Sequence, residues 1–307
     1  MLSGEKILIT GPAGQIAFPL TEYLARDNEV WGIARFGTAG ERERVDALGV
    51  TTRRVDLGAG QFDEIPDDFT YVLHLAAFLG EGLDYDHALR VNAEGTGLLL
   101  QHCRKAKAAL VMSTASVLKP HEDPHHVYRE DAPLGDANIA YAQTYSVSKT
   151  AEEAVARYCA RAFDLPVVIA RMNASYGSYG NGGLPGIHLA AVRAGEPVVT
   201  RWDPCMYSPI HQDDINTQTE ALLAAASVPA TIVNWGGDEP VSVQEWAAYM
   251  GELTGKGATV EVREQPGTLR GQVLDATRRR SFTGPCAVDW RTGIRRIHDE
   301  TARDQTA

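Results

Sequence analysis

The sequence has few cysteines and no long apolar run, and both scarcities narrow what the protein can be. Its four cysteines (Cys103, Cys159, Cys205 and Cys286) are too far apart for a Cys-x-x-Cys redox pair or a zinc knuckle, so no metal site is expected. We interpret them as small buried residues in a reducing compartment. No apolar run approaches the roughly 20 residues that cross a bilayer, and no apolar leader precedes Lys6, so we expect a cytoplasmic protein.

Basic residues are also in the minority. The 29 lysines and arginines face 40 aspartates and glutamates, which gives a net charge of −11. Such a charge would repel nucleic acid and anionic lipid, so we expect neither as a partner. With 307 residues, 44% of them hydrophobic, the chain can bury a large core around a site for a small diffusible substrate.

Short apolar runs alternate with helical patterns over the first 175 residues. The predicted strands are residues 6–10, 30–34, 53–57, 71–75, 110–114 and 167–171, and the intervening helices centre near residues 20, 45, 95 and 150. This alternation predicts an α/β fold with a doubly wound, Rossmann-like parallel sheet covered by helices on both faces.

The alternation breaks after Arg171, where residues 173–186 are rich in glycine and other turn formers. A helical pattern at 213–226 and an apolar run at 231–235 then predict a return to the main sheet. We therefore assign residues 1–175 and 207–240 to a dinucleotide-binding domain. A smaller, discontinuous C-terminal substrate lobe is predicted at 176–206 and 241–307.

A glycine-rich turn follows the first predicted strand. Gly11 and Gly14 would let the backbone approach a pyrophosphate, whose charge would then lie at the N-terminus of the next helix. Ala17 occupies the third position, where glycine is usual, and still permits close helix packing. An ordinary tight turn is the alternative interpretation.

The end of the second strand bears on the choice of cofactor. An NAD-binding strand commonly ends in a carboxylate for the ribose hydroxyls, whereas this one ends in Ala34 followed by Arg35. A guanidinium suits a 2′-phosphate, so the sequence favours NADP over NAD unless Arg35 simply points to solvent. Asp56, at the end of the third strand, is placed near the adenine, although it could merely cap a helix.

Tyr145 and Lys149 are four residues apart in Tyr145-Ser-Val-Ser-Lys149, hence neighbours on one face of a helix predicted at 140–162. An apolar stripe at Val147, Ala151, Ala154, Tyr158 and Ala162 is predicted to pack that helix on the core. A tyrosine that works near neutral pH must titrate about three units below its usual pKa of about 10, roughly 4 kcal/mol. A cation about 4 Å away stabilises the ionised tyrosine by a free energy of that size at a dielectric constant of about 20.

Thr114 ends the strand 110–114 at the edge where parallel sheets bind ligands. Its hydroxyl could hold the substrate oxygen that Tyr145 protonates or deprotonates. The alternative is that Thr114 and Ser116 are turn residues bonded to their own backbone.

These residues, with Val72-Leu-His-Leu-Ala-Ala77, Val91-Asn-Ala-Glu-Gly-Thr96 and Ser208-Pro-Ile-His-Gln-Asp-Asp214, resemble the extended short-chain dehydrogenase/reductase family, in its NAD-dependent epimerase/dehydratase branch. The resemblance implies that Tyr145 is the general acid/base, that Lys149 binds the nicotinamide ribose, and that Thr114 orients the substrate. It also implies that Asn92 has a structural role near the cofactor. Members often dimerise through helices that correspond to residues 86–105 and 140–162, so a homodimer is expected.

The predicted cofactor contacts, besides Tyr145 and Lys149, are Gly11, Gly14, Gln15, Ile16, Arg35, Asp56, Leu57, Leu75, Ala76, Ala77, Asn92, Met172 and Asn173. The predicted substrate contacts are Phe78, Thr114, Ser116, Tyr207 and Arg270.

Departures from the family pattern narrow the reaction. Ala115-Ser116 stands where 4,6-dehydratases carry an Asp-Glu pair, so elimination and decarboxylation are disfavoured. Tyr207 stands where many nucleotide-sugar epimerases hold the substrate diphosphate with arginine, a role that Arg270 could take over. Three functions stay open: an NAD(P)-dependent oxidoreductase, which is favoured, a nucleotide-sugar epimerase, and a non-catalytic NADP sensor.

Overall fold

A computed structural model describes residues 2–137, 139 and 142–304. The strands are β1 (Lys6–Thr10), β2 (Glu29–Ala34), β3 (Thr51–Arg54), β4 (Tyr71–His74), β5 (Ala108–Thr114), β6 (Val127–Tyr128), β7 (Val167–Met172), β8 (Ser175–Tyr176), β9 (Val198–Thr200), β10 (Met206–Tyr207), β11 (Ile210–His211), β12 (Thr231–Trp235), β13 (Val241–Ser242), β14 (Val260–Val262) and β15 (Gly271–Leu274). The α-helices are α1 (Ala17–Ala25), α2 (Glu41–Asp46), α3 (Tyr85–Leu89), α4 (Gly95–His102), α5 (Tyr145–Phe163), α6 (Gly183–Ala194), α7 (Gln212–Ala224), α8 (Val243–Thr254), α9 (Thr277–Thr283) and α10 (Trp290–Asp304).

The main sheet of the described chain has seven strands in the order β12-β7-β5-β4-β1-β2-β3. The pairs of β1 with β2 and β4, of β2 with β3, and of β4 with β5 are all parallel. The order in which the chain adds strands reverses between β1 and β4: β1, β2 and β3 follow one another towards one edge of the sheet, and β4, β5 and β7 towards the other. At such a point, open α/β sheets form a ligand crevice beyond the carboxyl ends of their strands. The predicted doubly wound, Rossmann-like fold is confirmed.

Helix α5 covers the sheet with the face opposite to the predicted one. Val147 and Tyr158, from the predicted apolar stripe, are 50% and 66% exposed. The buried residues of the helix are Ser146, Ser148, Lys149, Glu152, Glu153, Ala156, Cys159 and Ala160. The predicted packing stripe is therefore wrong, because the inward face carries charged side chains that find partners in the interior.

The ends of two predicted elements also differ. Strand β3 covers Thr51–Arg54 rather than residues 53–57, because the Asp56 side chain accepts the Gly58 amide and starts a short 3₁₀ turn at Leu57–Ala59. The predicted start of the helix at residue 140 lies outside the described residues, and α5 begins at Tyr145.

The chain forms two compact units. The first comprises Met1–Val117, Ile139–Arg171 and Asn216–Val233, and the second comprises Leu118–Asn138, Met172–Ile215 and Asn234–Ala307. Compactness thus assigns to the second unit four segments that were predicted in the dinucleotide-binding domain: residues 118–138, 172–175, 207–215 and 234–240. Strand pairing within the second unit supports this division, because β6 pairs with β15, β10 with β13 and β15, and β11 with β8. Each unit has its own hydrophobic core, with Trp246 and Tyr176 fully buried in the second.

Three of the four cysteines are buried, as predicted, and Cys286 is half-buried. Burial raises the pKa of the Cys103 thiol to about 12 and that of Cys159 to about 11, which keeps both protonated. Within the residues that the structure describes, no helix combines the length and the apolar composition that a bilayer crossing requires.

Candidate active site

The glycine turn after β1 brings two parts of the backbone close together. Gly11 has φ +67°, and a Cβ atom there would lie 3.1 Å from the Ala76 Cα atom. No side chain caps α1 at Ile16, and the buried Nε2 atom of Gln15 has no hydrogen-bond partner. A cradle that a side chain would fill and an unpaired buried donor beside it both fit a dinucleotide pyrophosphate.

The other predicted residues for the adenosine half lie at the ends of β2 and β3. Arg35 is exposed directly after β2, and the following Phe36 has φ +47°. Asp56 caps the 3₁₀ turn, as the alternative interpretation expected, and Leu57 is buried within that turn. The placement of Arg35 leaves its guanidinium accessible from solvent.

Thr10 ties the glycine turn to the loop after β4. Its Oγ1 atom accepts hydrogen bonds from the Leu75 amide at 3.0 Å and the Ala76 amide at 2.9 Å, so its hydrogen goes to His74 Nδ1 at 2.8 Å. The opposite ring nitrogen, His74 Nε2, therefore carries the hydrogen and donates to Thr96 Oγ1 at 2.7 Å. Burial, and then the nearby Lys149 charge, lower the pKa of His74 to about 3, so the ring is neutral.

Asn92 joins that loop to α5 from within a π-helical turn at Arg90–Glu94. Its side chain accepts the Phe78 amide at 2.6 Å and donates to the Phe78 carbonyl at 3.0 Å and to Ser148 Oγ at 2.9 Å. The Phe78 ring meets His87 edge-on at 4.6 Å. Ala77, between the two anchored positions, is exposed.

Thr114 ends β5 half-buried. Its Oγ1 atom accepts the amide of Ser116 at 3.1 Å, which leaves its hydroxyl hydrogen available to a substrate oxygen. Ser116 is buried in the next turn. Both the turn role and the orienting role foreseen for Thr114 are compatible with this geometry.

Lys149 lies one turn after Tyr145 on α5, and its side chain is only 1% exposed. Its Nζ atom donates to the Met112 carbonyl at 2.7 Å, two residues before Thr114 on β5, and forms an ion pair with Glu152. Tyr145 itself is half-buried at the first position of the helix. The structure therefore brings the predicted Lys149 to the strand that ends in Thr114.

Two buried acids next to Lys149 were not predicted as part of the site. Glu152 pairs with Lys149, whereas Glu153 accepts from Ser113 Oγ at 2.6 Å and pairs with Arg171 at 2.8 Å. Arg171 itself is 1% exposed in the otherwise apolar strand β7. The presence of Arg171 in an otherwise apolar strand is the sequence signal that could have predicted a buried acid such as Glu153.

The other predicted residues belong to the second unit. Met172 is buried at the end of β7, and the Asn173 side chain accepts from the Ser208 amide and donates to the Gln272 carbonyl, both at 3.0 Å. Tyr207 is buried, and its hydroxyl accepts from Arg201 at 3.0 Å. Arg270 is exposed, with its guanidinium 4.4 Å from the centre of the Trp202 ring.

The Glu152 carboxyl predicts a pH dependence of stability. Burial raises its pKa from the ordinary 4.5 to about 7, against the opposing effect of Lys149. A carboxyl whose pKa is raised on folding stabilises the fold below its unfolded value and loses that contribution as pH rises through the folded value. The quantity to compare is the free energy of unfolding of wild type minus that of Glu152→Gln. This difference should fall by on the order of 3 kcal/mol between about pH 5 and pH 8.

Urea denaturation at a series of pH values measures this difference. Glu153→Gln is the matched control, since it breaks a neighbouring buried ion pair but keeps Glu152. It should therefore keep a pH-dependent fall, displaced to lower pH because the Glu153 charge helps to raise the pKa of Glu152. A Glu152→Gln variant with the same pH slope as wild type would contradict the assignment.

Solved structures with this fold include enzymes of nucleotide-sugar metabolism. UDP-glucuronic acid 4-epimerase from Bacillus cereus, in complex with UDP-glucuronic acid and NAD, is 22% identical with a TM-score of 0.83, over 97% of this chain and 99% of its own. UDP-glucose 4-epimerase from Thermus thermophilus, in complex with NAD, is 25% identical with a TM-score of 0.81, also over 97% of this chain and 99% of its own. dTDP-glucose 4,6-dehydratase from Bacillus anthracis, also with NAD, is 18% identical with a TM-score of 0.82, over 99% of this chain and 98% of its own.

A search of curated proteins found no match. Residues 7–203 match the sequence pattern of the NAD dependent epimerase/dehydratase family. That segment includes the glycine turn, Thr114, Tyr145 and Lys149. The chain therefore belongs to the NAD-dependent epimerase/dehydratase family, within the extended short-chain dehydrogenases/reductases.

Proposed function

We propose that this protein transfers a hydride reversibly between a nicotinamide dinucleotide and a secondary alcohol or ketone of a sugar-derived substrate. The observation that carries the proposal is the anchoring of Lys149, whose ammonium donates to the Met112 carbonyl on the strand that ends in Thr114. Tyr145 lies one helical turn before Lys149. Family membership supports the cofactor class.

The roles of the three side chains follow from their chemistry. Thr114 donates its hydroxyl hydrogen to the substrate oxygen, because its own oxygen already accepts the Ser116 amide. Tyr145 takes the proton of an alcohol as a phenolate during oxidation, and as a phenol it returns that proton to the oxygen during reduction. Lys149 stabilises the phenolate through its positive charge.

A bound dinucleotide would supply the site that accepts or donates the hydride. Gln15 and the turn from Gly11 to Gly14 would hold its pyrophosphate, and Leu75, Ala76 and Ala77 would lie along it. Support for this placement comes from the unpaired Gln15 donor and from the close approach of Gly11 to Ala76.

An epimerase that oxidises and re-reduces the same sugar carbon is the second candidate. The solved UDP-sugar epimerases of the same fold favour it. Dehydration is not proposed, although a dehydratase shares the fold, because Ala115 and Ser116 supply no carboxyl group there. A non-catalytic NADP sensor is the third candidate, and retention of Tyr145 and Lys149 argues against it.

Replacement of Tyr145 by phenylalanine tests the proposal. With UDP-glucuronic acid and UDP-glucose as first substrates, Tyr145→Phe should lower turnover by about 10²-fold to 10⁴-fold, because it removes the acid/base group. Cofactor affinity, measured by calorimetry, should barely change. Tyr158→Phe, on the exposed face of the same helix, is the control.

Absorbance of the reduced nicotinamide, followed with product analysis, separates the three candidates. An oxidoreductase converts cofactor in proportion to product, an epimerase regenerates it, and a sensor binds it without turnover. Unaltered turnover in Tyr145→Phe would remove the mechanism.

We further propose that the protein prefers NADP to NAD, although the structures of similar fold hold NAD. Support comes from the absence of a carboxylate at Ala34 and from the exposed Arg35 beside it. Calorimetric titration should show tighter binding of NADP to wild type, with the preference reduced about tenfold or more in Arg35→Ala, since a charge-assisted bond contributes about 1.5 to 3 kcal/mol. Arg104→Ala is the control, because it removes an exposed arginine from the turn after α4. A wild-type preference for NAD would exclude this role.

A homodimer is proposed as well. Large apolar side chains are exposed on two helices: Val147 (50%) and Tyr158 (66%) on α5, and Leu98 (41%) on α4. The two helices lie side by side, because a Cβ atom at Gly97 of α4 would lie 3.0 Å from Val155 of α5. An apolar patch of this kind favours association.

Light scattering should give twice the 33.3 kDa chain mass for wild type and the single mass for the double variant Leu98→Glu, Tyr158→Glu. Val262→Glu, in the second unit, is the control, and a monomeric wild type would refute the dimer.

A further inference from the structure

Glu152 is a buried carboxylate that the proposed chemistry does not use. It lies on α5 three residues after Lys149, and its side chain is fully buried. Its Oε2 atom contacts the Lys149 ammonium, while its Oε1 atom lies 3.4 Å from Thr96 Oγ1 and 3.5 Å from His74 Nε2. A carboxylate taken this far from water needs a strong partner.

The neutral neighbours of Glu152 already use their hydrogens elsewhere. The Thr96 hydroxyl donates to the Asn92 carbonyl at 2.5 Å, a far shorter contact than the one to Glu152. His74 Nε2 donates to Thr96 at 2.7 Å. The close partner of Glu152 is therefore the Lys149 ammonium.

Lys149 in turn is fixed from two sides. Its ammonium donates to the Met112 carbonyl of β5 on one side and meets Glu152 on the other. Because the side chain is only 1% exposed, water offers little replacement for either partner. The position of this charge thus depends on whether Glu152 is ionised.

We propose that Glu152 is a positioning residue for Lys149: its carboxylate holds the ammonium at the Met112 carbonyl and, on protonation, releases it. This inference rests on the proposed function for its catalytic consequence, although the interaction itself is a property of the protein alone. It makes the Tyr145–Lys149 pair sensitive to a third titrating group on the same helix.

The surroundings put that protonation near neutrality. Burial raises the pKa of Glu152 to about 7, Lys149 opposes the rise and Glu153 adds to it. From the facing elements, His74 on β4 is neutral and Thr96 on α4 is uncharged, while Arg171 on β7 neutralises Glu153. Lys149 is thus the one close charge of opposite sign that the described contacts give Glu152.

Nuclear magnetic resonance of ¹³Cε-labelled lysine tests the pairing without cofactor or substrate. The chain has six lysines, so the spectrum is sparse, and Lys149→Met identifies the Lys149 signal. In wild type that signal should move with a midpoint near pH 7, as Glu152 gains or loses its proton. The step should be absent in Glu152→Gln and present in Glu153→Gln.

Turnover gives the second readout. Wild type should exceed Glu152→Gln on the order of tenfold at about pH 8.5, because a misplaced group loses orientation, and the two should converge below about pH 6. Glu153→Gln should keep a pH-dependent profile, with its midpoint at lower pH because the Glu153 charge no longer raises the pKa of Glu152.

A wild-type Lys149 signal without a near-neutral step overturns the proposal, even if Glu152→Gln does not fold. A pH-independent loss of turnover in Glu152→Gln overturns it as well, since that result would indicate a purely structural role. Wild-type protein without turnover on any tested substrate would instead remove the proposed function, while the spectroscopic step would still report the pairing.

Discussion

Four charged side chains lie in the interior between α5 and the main sheet, and the arrangement around them depends on their mutual neutralisation. Lys149 and Glu152 form one ion pair, and Glu153 and Arg171 form the other. Removal of one partner from a buried pair leaves an uncompensated charge, which typically costs about 3 to 5 kcal/mol. Helix, β5 and β7 are therefore held in a fixed relation by electrostatics as well as by apolar contact.

Neutral hydrogen bonds extend that fixed relation to the glycine turn. Thr10 on β1 holds the loop after β4 through two amides, and His74 continues the connection to Thr96. Asn92 fixes the next part of the loop to Ser148 on α5. A direct chain of bonds thus runs from the proposed pyrophosphate turn to the helix that carries Tyr145 and Lys149, which is the rigid support that a site for hydride transfer needs.

The sequence predicted the fold class and the neighbourhood of the site because both follow from local patterns. Short apolar runs marked β1, β4, β5 and β7, and the glycines marked the turn. The orientation of α5 could not be predicted in this way, because a hydropathy pattern assigns Val147 and Tyr158 inward and Glu152 outward. Only the three-dimensional pairing of Glu152 and Glu153 with cations from different positions reverses that assignment. The course of β3 likewise depends on the side chain of Asp56, which caps a turn instead of prolonging the strand.

The inverted polarity of α5 has a consequence for the order in which the chain acquires structure during synthesis. Met112, the acceptor of Lys149, leaves the ribosome before the helix does, whereas Arg171, the cation of Glu153, leaves after it. Until β7 emerges, a docked α5 would bury one unneutralised carboxylate, which is energetically unfavourable. Docking of the helix therefore becomes more favourable once the strand that follows it has been synthesised.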